Sequence, residues 1–389
     1  MDRLGTTDVV TFGEPDDGWD AAVSGRKVTA GSEKMDEVLE FTPAEKSAPA
    51  VVLTTGEDKG SAAALATARA AGATVEAVQN PDPRASGKSV EMLRSHADQT
   101  VIAMGEAFGA TEDFAAHVKT AQTAAQLPGG GQIVFPGRRM VALYGHPGGG
   151  SLGVLGEQGV DASIQRAKTI AAEYQPYSDV PVVPAFEIIA TVASSEPGAD
   201  EDYSTESTIE QLKPWIDAAE QSGVCTVLDL QPGRTDFLTQ VKLYEELLKR
   251  PNVGLALDPE WRLRPDQRHM VQIGSVDAAE INQVTDWLAE LTRTNNLPQK
   301  VVILHEFNLS MITNRDQVDT SHGELALVLH ADGHGTPEAK LETYNALQMG
   351  LPDNIWMAWK NFYDEDSAMF TPEQTYTEVD PKPWFVSYQ

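Results

Sequence analysis

The chain has 389 residues, more than a single hydrophobic core normally serves, so two domains are expected. With 41% hydrophobic residues it has enough apolar material to fold and too much for general disorder. Acidic residues outnumber basic ones 58 to 29, and the net charge of -29 excludes nucleic acid and anionic lipid as partners; no apolar run reaches the about 18 residues that a transmembrane segment needs.

Residues up to about Thr42 are rich in Asp, Glu, Gly and Thr, and one short strand is predicted there, Val9 to Phe12. Strands are then predicted at Ala50 to Thr55, Thr74 to Val78 and Thr100 to Met104. They alternate with helices over Ser61 to Ala70, from Ser89 to Arg94 and from Thr111 onward. Such alternation predicts a small Rossmann-like α/β domain over residues 1–130. The Gly/Pro-rich stretch Leu127 to Gly137 marks a boundary, either as a hinge or as a turn packed against the second domain.

Residues 138–389 carry a series of short, continuous apolar runs. They are Met140 to Gly145, Pro181 to Phe186, Val224 to Leu228, Val253 to Leu257, Val301 to Leu304, Leu325 to Leu329 and Ile355 to Trp359. Unbroken apolar runs suit strands buried on both faces, as in a parallel sheet. Helices are predicted between them, at Ala162 to Tyr174, Ser207 to Ser222, Phe237 to Lys249, Asp277 to Thr294 and Pro337 to Met349. Ser207 with Glu210 has capping-box spacing, and Pro337 suits a first helical position. The size and alternation predict a (β/α)8-like TIM barrel. About seven strands are convincing, and Ser310 to Glu324 is too short for a strand-helix unit, so one strand is missing or atypical, or the barrel is incomplete.

Most of these runs end in a chemically capable residue, which in a (β/α) barrel gathers at one mouth. His146, Glu187, Asp229, Asp258 with Glu260, His305 with Glu306, His330 with Asp332, and Lys360 all fall there. Glycoside hydrolysis needs two facing carboxylates, one to protonate the leaving oxygen and one to attack or activate water. Glu260 and Glu306 are the preferred pair because Glu reaches beyond the strand end, with Asp229 third. About half of the carboxylates are expected to cap turns or helices instead. Trp261 offers a stacking face for a sugar, or packs on the rim. Arg262 beside it can hold an anion or orient Glu260. Arg234, His146, Glu187, Asp258, His305, His330, Asp332, Trp359 and Lys360 complete the candidate substrate contacts, although one of Trp356 and Trp359 is expected in the core. The histidines with Asp229, Asp258 or Asp332 allow a metal-dependent hydrolase as an alternative, but no short ligand motif is present, so neither metal nor cofactor is expected. Gly145 to Gly150 follows a strand without P-loop or dinucleotide spacing, which points to a backbone turn. Cys225 is the only cysteine, which rules out an intrachain disulfide and a Cys-based zinc site; its apolar setting suggests a core residue.

The segments Val51 to Gly56, Ser61 to Ala66 and Val101 to Gly109 resemble one unit of the cell-wall-binding repeat 2 family, over roughly residues 48 to 125. From Arg138 onward the chain resembles actinobacterial exported or lipoprotein-type proteins with a glycosidase-like barrel. The resemblance implies a secreted or envelope-associated protein, with neither signal nor lipobox in this chain, and a cell-envelope polysaccharide as partner. Two activities are expected from these readings: hydrolysis of an envelope glycan, or non-catalytic binding of a glycan or lipoglycan.

Overall fold

The structure, a computed structural model, describes residues 6–11, 19–30, 49–56 and 61–389. Phe12, the last residue of the first expected strand, lies outside them. The chain divides into two compact units, residues 1–81 with 98–109, and residues 82–97 with 110–389.

In the smaller unit, Ala50–Thr54 is the centre of a three-stranded parallel sheet, flanked by Thr74–Ala77 and Thr100–Met104. Val51, Val52 and Leu53 are buried, as the unbroken apolar run requires. Ala62–Ala70 supplies a helix, and Asp8–Thr11 pairs in parallel with Lys27–Ala30. The helices Gly87–Ser95 and Thr111–Thr123 group with the larger unit.

The larger unit holds a closed barrel of eight parallel strands: β1 (Arg139–Gly145), β2 (Val182–Ala193), β3 (Cys225–Leu230), β4 (Val253–Leu257), β5 (Lys300–Glu306), β6 (Leu325–Ala331), β7 (Trp356–Asn361) and β8 (Phe385–Tyr388). Each strand pairs with the next, and β8 returns to β1 with Phe385 opposite Met140. Of the three readings, a missing strand, an atypical one or an incomplete barrel, the atypical strand is the one found. The eighth strand is only four residues long and is preceded by Pro383, too short to stand out as an apolar run. The β5–β6 connection is, as its length predicted, without a full helix: it holds the two-residue strand Ile312–Thr313 and a 3-10 turn at Arg315–Gln317.

Helices cover the outside where the 3.6-residue pattern placed them. Ala278–Thr294 is capped by Asp277, whose carboxylate accepts from the backbone N–H of Ala279. Pro337 does open its helix, behind the cap Thr336. One cap is shifted: the capping box of Ile209–Gln221 is Thr208 with Gln211, not Ser207 with Glu210. Tyr244 also interrupts the expected Phe237 to Lys249 helix, leaving Phe237–Leu243 and Glu245–Leu248.

Strand parity sorts the barrel. Met140, Ala185, Val227, Ala256, Ile303 and Val328 pack inside it, while their neighbours Leu143, Phe186, Leu228, Leu255, Leu304 and Leu329 pack outward with the helices. Each large aliphatic side chain contributes about 1.5–3 kcal/mol on burial. The Gly/Pro stretch is a packed turn: Leu127, Val134 and Phe135 join the interior cluster with Trp356 and Trp384 against it. The Arg138 guanidinium gathers the carbonyls of Pro128, Gly130 and Ile133. Apolar side chains thus fill the N-terminal end of the barrel, and the polar residues are left to its C-terminal end.

Candidate functional site

Continuing each inward parity to the C-terminal ends delivers one or two polar groups per strand: Tyr144, Glu187, Asp229, Asp258, His305, His330 with Asp332, Lys360 and Ser387. All are at most 9% exposed. They form two levels. Tyr144, Asp258, Asp332 and Lys360 reach a cavity of about 440 Å3 together with Glu260, Trp261, Phe307, His334 and Phe362. Glu187, Asp229, His305 and His330 lie within the barrel and are not part of its lining.

His305 is the hub of the inner level. Its Nδ1 lies 2.8 Å from Asp332 Oδ2 and its Nε2 lies 2.9 Å from Glu187 Oε1. Both nitrogens face carboxylate oxygens, so the doubly protonated ring donates in both directions. Burial opposes that charge, but Glu187 and Asp332 outweigh it and raise His305 well above the ordinary imidazole range. Burial likewise pushes the Glu187 carboxyl up, yet His305 more than compensates and holds it below its usual value. His330 is the register partner of His305 and bonds Ser387 Oγ through Nε2 at 3.1 Å. Burial, and then the neighbouring His305 charge, lower His330 to about 3, so it is neutral. The Tyr144 hydroxyl donates to Asp229 Oδ2 at 2.9 Å, and burial raises Asp229 above the ordinary carboxylate range.

At the cavity level, Lys360 Nζ sits 3.0 Å from Asp332 Oδ1 and 3.8 Å from the Tyr144 ring centroid. Burial would raise Asp332, but Lys360 and His305 overcome it and hold this carboxyl below its normal range. Glu260 is the opposite case. Its carboxyl makes no hydrogen bond among the described residues, and burial pushes it up to about 7. Asp258 caps the 3-10 turn Pro259–Trp261 by accepting from the Glu260 N–H at 3.2 Å, which fixes how Glu260 and Trp261 enter the cavity.

Of the residues expected at the site, Asp258, Glu260, Trp261, Asp332 and Lys360 meet in the cavity. Glu187, Asp229, His305 and His330 meet beneath it. Four others lie elsewhere. Glu306 follows His305 by one position, so it points to the outer face, where Arg315 Nη1 donates to it at 2.7 Å. The expected pairing of Glu260 with Glu306 is thereby corrected. Trp359 also faces outward, stacked on Phe370 at 5.6 Å with its indole N–H on Asn361. The guanidinium of Arg234 donates to Gln267 O at 3.0 Å and lies over the Tyr203 ring, outside the cavity lining. Its neighbour Arg262 pairs with Glu280 at 2.9 Å instead of orienting Glu260. His146 serves the turn after β1: its Nδ1 accepts from Gly148 N–H at 2.9 Å, and its Nε2 meets Ser207 Oγ at 3.1 Å. That turn folds back closely, since a Cβ on Gly145 would lie 2.9 Å from the Gly153 carbonyl carbon, at a φ of +146° that favours glycine.

Sequence reading missed Tyr144, Ser387, Phe307 and His334. Tyr144 carried a signal, because it has the inward parity of Met140 and Ala142. Ser387 did not, its strand being unrecognised. Comparison of the chain with protein-family models and with curated protein sequences finds no match.

Proposed function

We propose that the barrel mouth binds a carbohydrate of the cell envelope and hydrolyses a glycosidic bond in it, with Glu260 as proton donor and Asp332 as the ionised carboxylate. One observation carries this reading. A single cavity holds an unpaired, half-buried carboxyl and a carboxylate ion-paired to Lys360, beside the aromatic faces of Trp261, Phe307 and Phe362. Two carboxyl groups whose surroundings push their protonation apart suit the division of acid and anion that glycoside hydrolysis requires. Glu260 hands its proton to the departing oxygen as the anomeric carbon–oxygen bond breaks. Asp332 offsets the positive charge that develops on the sugar. Water then adds to the anomeric carbon, and its second proton restores Glu260. The aromatic walls supply stacking surface for the apolar faces of sugar rings. As part of the same proposal, the N-terminal segment is a Rossmann-like, wall-binding module and the protein is exported.

The test is a screen of soluble envelope polysaccharides for binding and for reducing-end release. Glu260→Gln and Asp332→Asn should keep binding and lose release, and Glu306→Gln should keep both. Undiminished release by Glu260→Gln overturns the assignment of the acid. Binding without release by the unaltered chain identifies a glycan-binding protein, and absence of both removes the carbohydrate reading.

A further inference from the structure

Beneath the mouth, three buried polar atoms have no hydrogen-bond partner: Glu187 Oε2, Asp229 Oδ1 and His330 Nδ1. All three side chains are fully buried. A buried polar atom left unpaired costs free energy, so a group of them needs an explanation. They also share one neighbour. His305 Nε2 lies 2.9 Å from Glu187 Oε1 and 3.9 Å from Asp229 Oδ1, and the His305 and His330 ring centroids are 4.7 Å apart. Ligating atoms of Glu187, His305 and His330 all fall within 4.8 Å of one another.

We propose that Glu187, Asp229, His305 and His330 form a binding site for a divalent first-row transition-metal ion, with zinc as the best match, in the barrel interior below the carbohydrate cavity. Two imidazoles and two carboxylates without a thiolate suit zinc, and also manganese, iron or cobalt, better than calcium or magnesium. The ion takes the place of the proton on His305 Nε2 and draws in the unpaired Glu187, Asp229 and His330 atoms. The outer partners are already present. Asp332 Oδ2 holds His305 Nδ1 at 2.8 Å, the carboxylate–histidine arrangement that orients a metal-bound imidazole, and Ser387 Oγ holds His330 Nε2 at 3.1 Å, leaving Nδ1 toward the ion. Charge points the same way. Once the ion displaces the proton of His305 Nε2, the carboxylates of Glu187 and Asp332 that this ring now faces keep only the ammonium of Lys360 as a charged partner, and the divalent cation supplies the lost counter-charge. This site does not depend on the carbohydrate reading, because none of its four ligands lines that cavity.

The test uses the full chain, treated with chelator, then exposed to Zn2+ or Co2+ and freed of excess ion by gel filtration. Expected are one bound equivalent, a cobalt visible spectrum typical of nitrogen and oxygen ligands, and a raised thermal midpoint. His330→Gln and Glu187→Gln, confirmed as folded by circular dichroism, should weaken uptake by more than the about 10- to 100-fold that changes outside the ligand shell cost. The group Asp286, Asp319 and His322, of which Asp286 is exposed and the other two half-buried, is the control, since it too clusters ligating atoms. His322→Ala should leave the bound equivalent in place. Failure of the chelated chain to take up either ion overturns the proposal, the unpaired atoms then being served by water. Uptake abolished by His322→Ala but not by the interior variants overturns it as well. No glycan enters the measurement, so its outcome stands apart from that of the polysaccharide screen.

Discussion

Replacing Lys360 by Met should strongly destabilise the barrel, and the size of the loss follows from the Asp332 contact. Nζ and Oδ1 are 3.0 Å apart, with the two side chains 3% and 8% exposed. At an effective dielectric of about 20, unit charges at that separation attract by about 5.5 kcal/mol, much of it spent on their desolvation. Removing one member of a buried pair typically costs about 3–5 kcal/mol, because the survivor stays buried without its counter-charge. Asp332 would keep His305 at 2.8 Å, so the lower end, about 3 kcal/mol, is expected for Lys360→Met. Asp332→Asn leaves Lys360 with the Tyr144 ring face and should be similarly damaging. The double variant strands neither charge and should be more stable than the sum of the single losses by about 2 kcal/mol. Urea unfolding followed by tryptophan fluorescence is the assay, because of the 7 tryptophans only Trp19 lies in the smaller unit. Losses that add to within about 0.5 kcal/mol would refute the coupling, and with it the view that Lys360 keeps Asp332 ionised.

Glu260 sets the alkaline side of the pH profile. With its carboxyl pushed to about 7 by burial, the donor proton is present below that pH, so kcat/KM should fall as pH rises through about 7; a rate unchanged from pH 6 to 8 would refute the role. The same raised value has a stability sign: Glu260's contribution is fully present below its ordinary carboxylate range and is lost as pH rises through about 7, a slope that Glu260→Gln should remove from the pH dependence of unfolding. Cys225 is buried inside the barrel and burial raises its thiol to about 11, so a thiol reagent should label it only in urea; rapid labelling of the native chain would contradict its placement.

The barrel was legible in the sequence because its strands are buried on both faces. Runs such as Leu325 to Leu329 have no polar interruption, and in the structure each such run is a strand. Short β8 was not legible, since four residues behind Pro383 give periodicity nothing to work on and only its pairing with β1 and β7 defines it. The Thr208 cap was missed by one residue for a related reason. In isolation Ser207 is the somewhat better cap, and the choice falls on Thr208 because Ser207 N–H bonds back to the Ala190 carbonyl.

The site was legible as a set of strand ends but not as a geometry. His305 and Glu306 look interchangeable in sequence, and their roles separate because adjacent strand residues face opposite ways. His305 enters the charged interior, and Glu306 meets Arg315 among the outer packing. The same parity explains why Asp258 and Asp332 reach the cavity, each two residues beyond the inward-facing Ala256 and His330, whereas Trp359 turns away between Ala358 and Lys360. Barrel closure then turns separate residues into one electrostatic system. Glu187 touches His305, His305 touches Asp332, Asp332 touches Lys360, and Lys360 lies over the Tyr144 ring, whose hydroxyl bonds Asp229. In a chain of contacts so well shielded from water, removing any one charge changes the protonation of the next, so substitutions along it should couple strongly rather than add. Residues on the outer face, Glu306 included, stand outside that chain, which is why a variant there separates a loss of folding from a loss of chemistry.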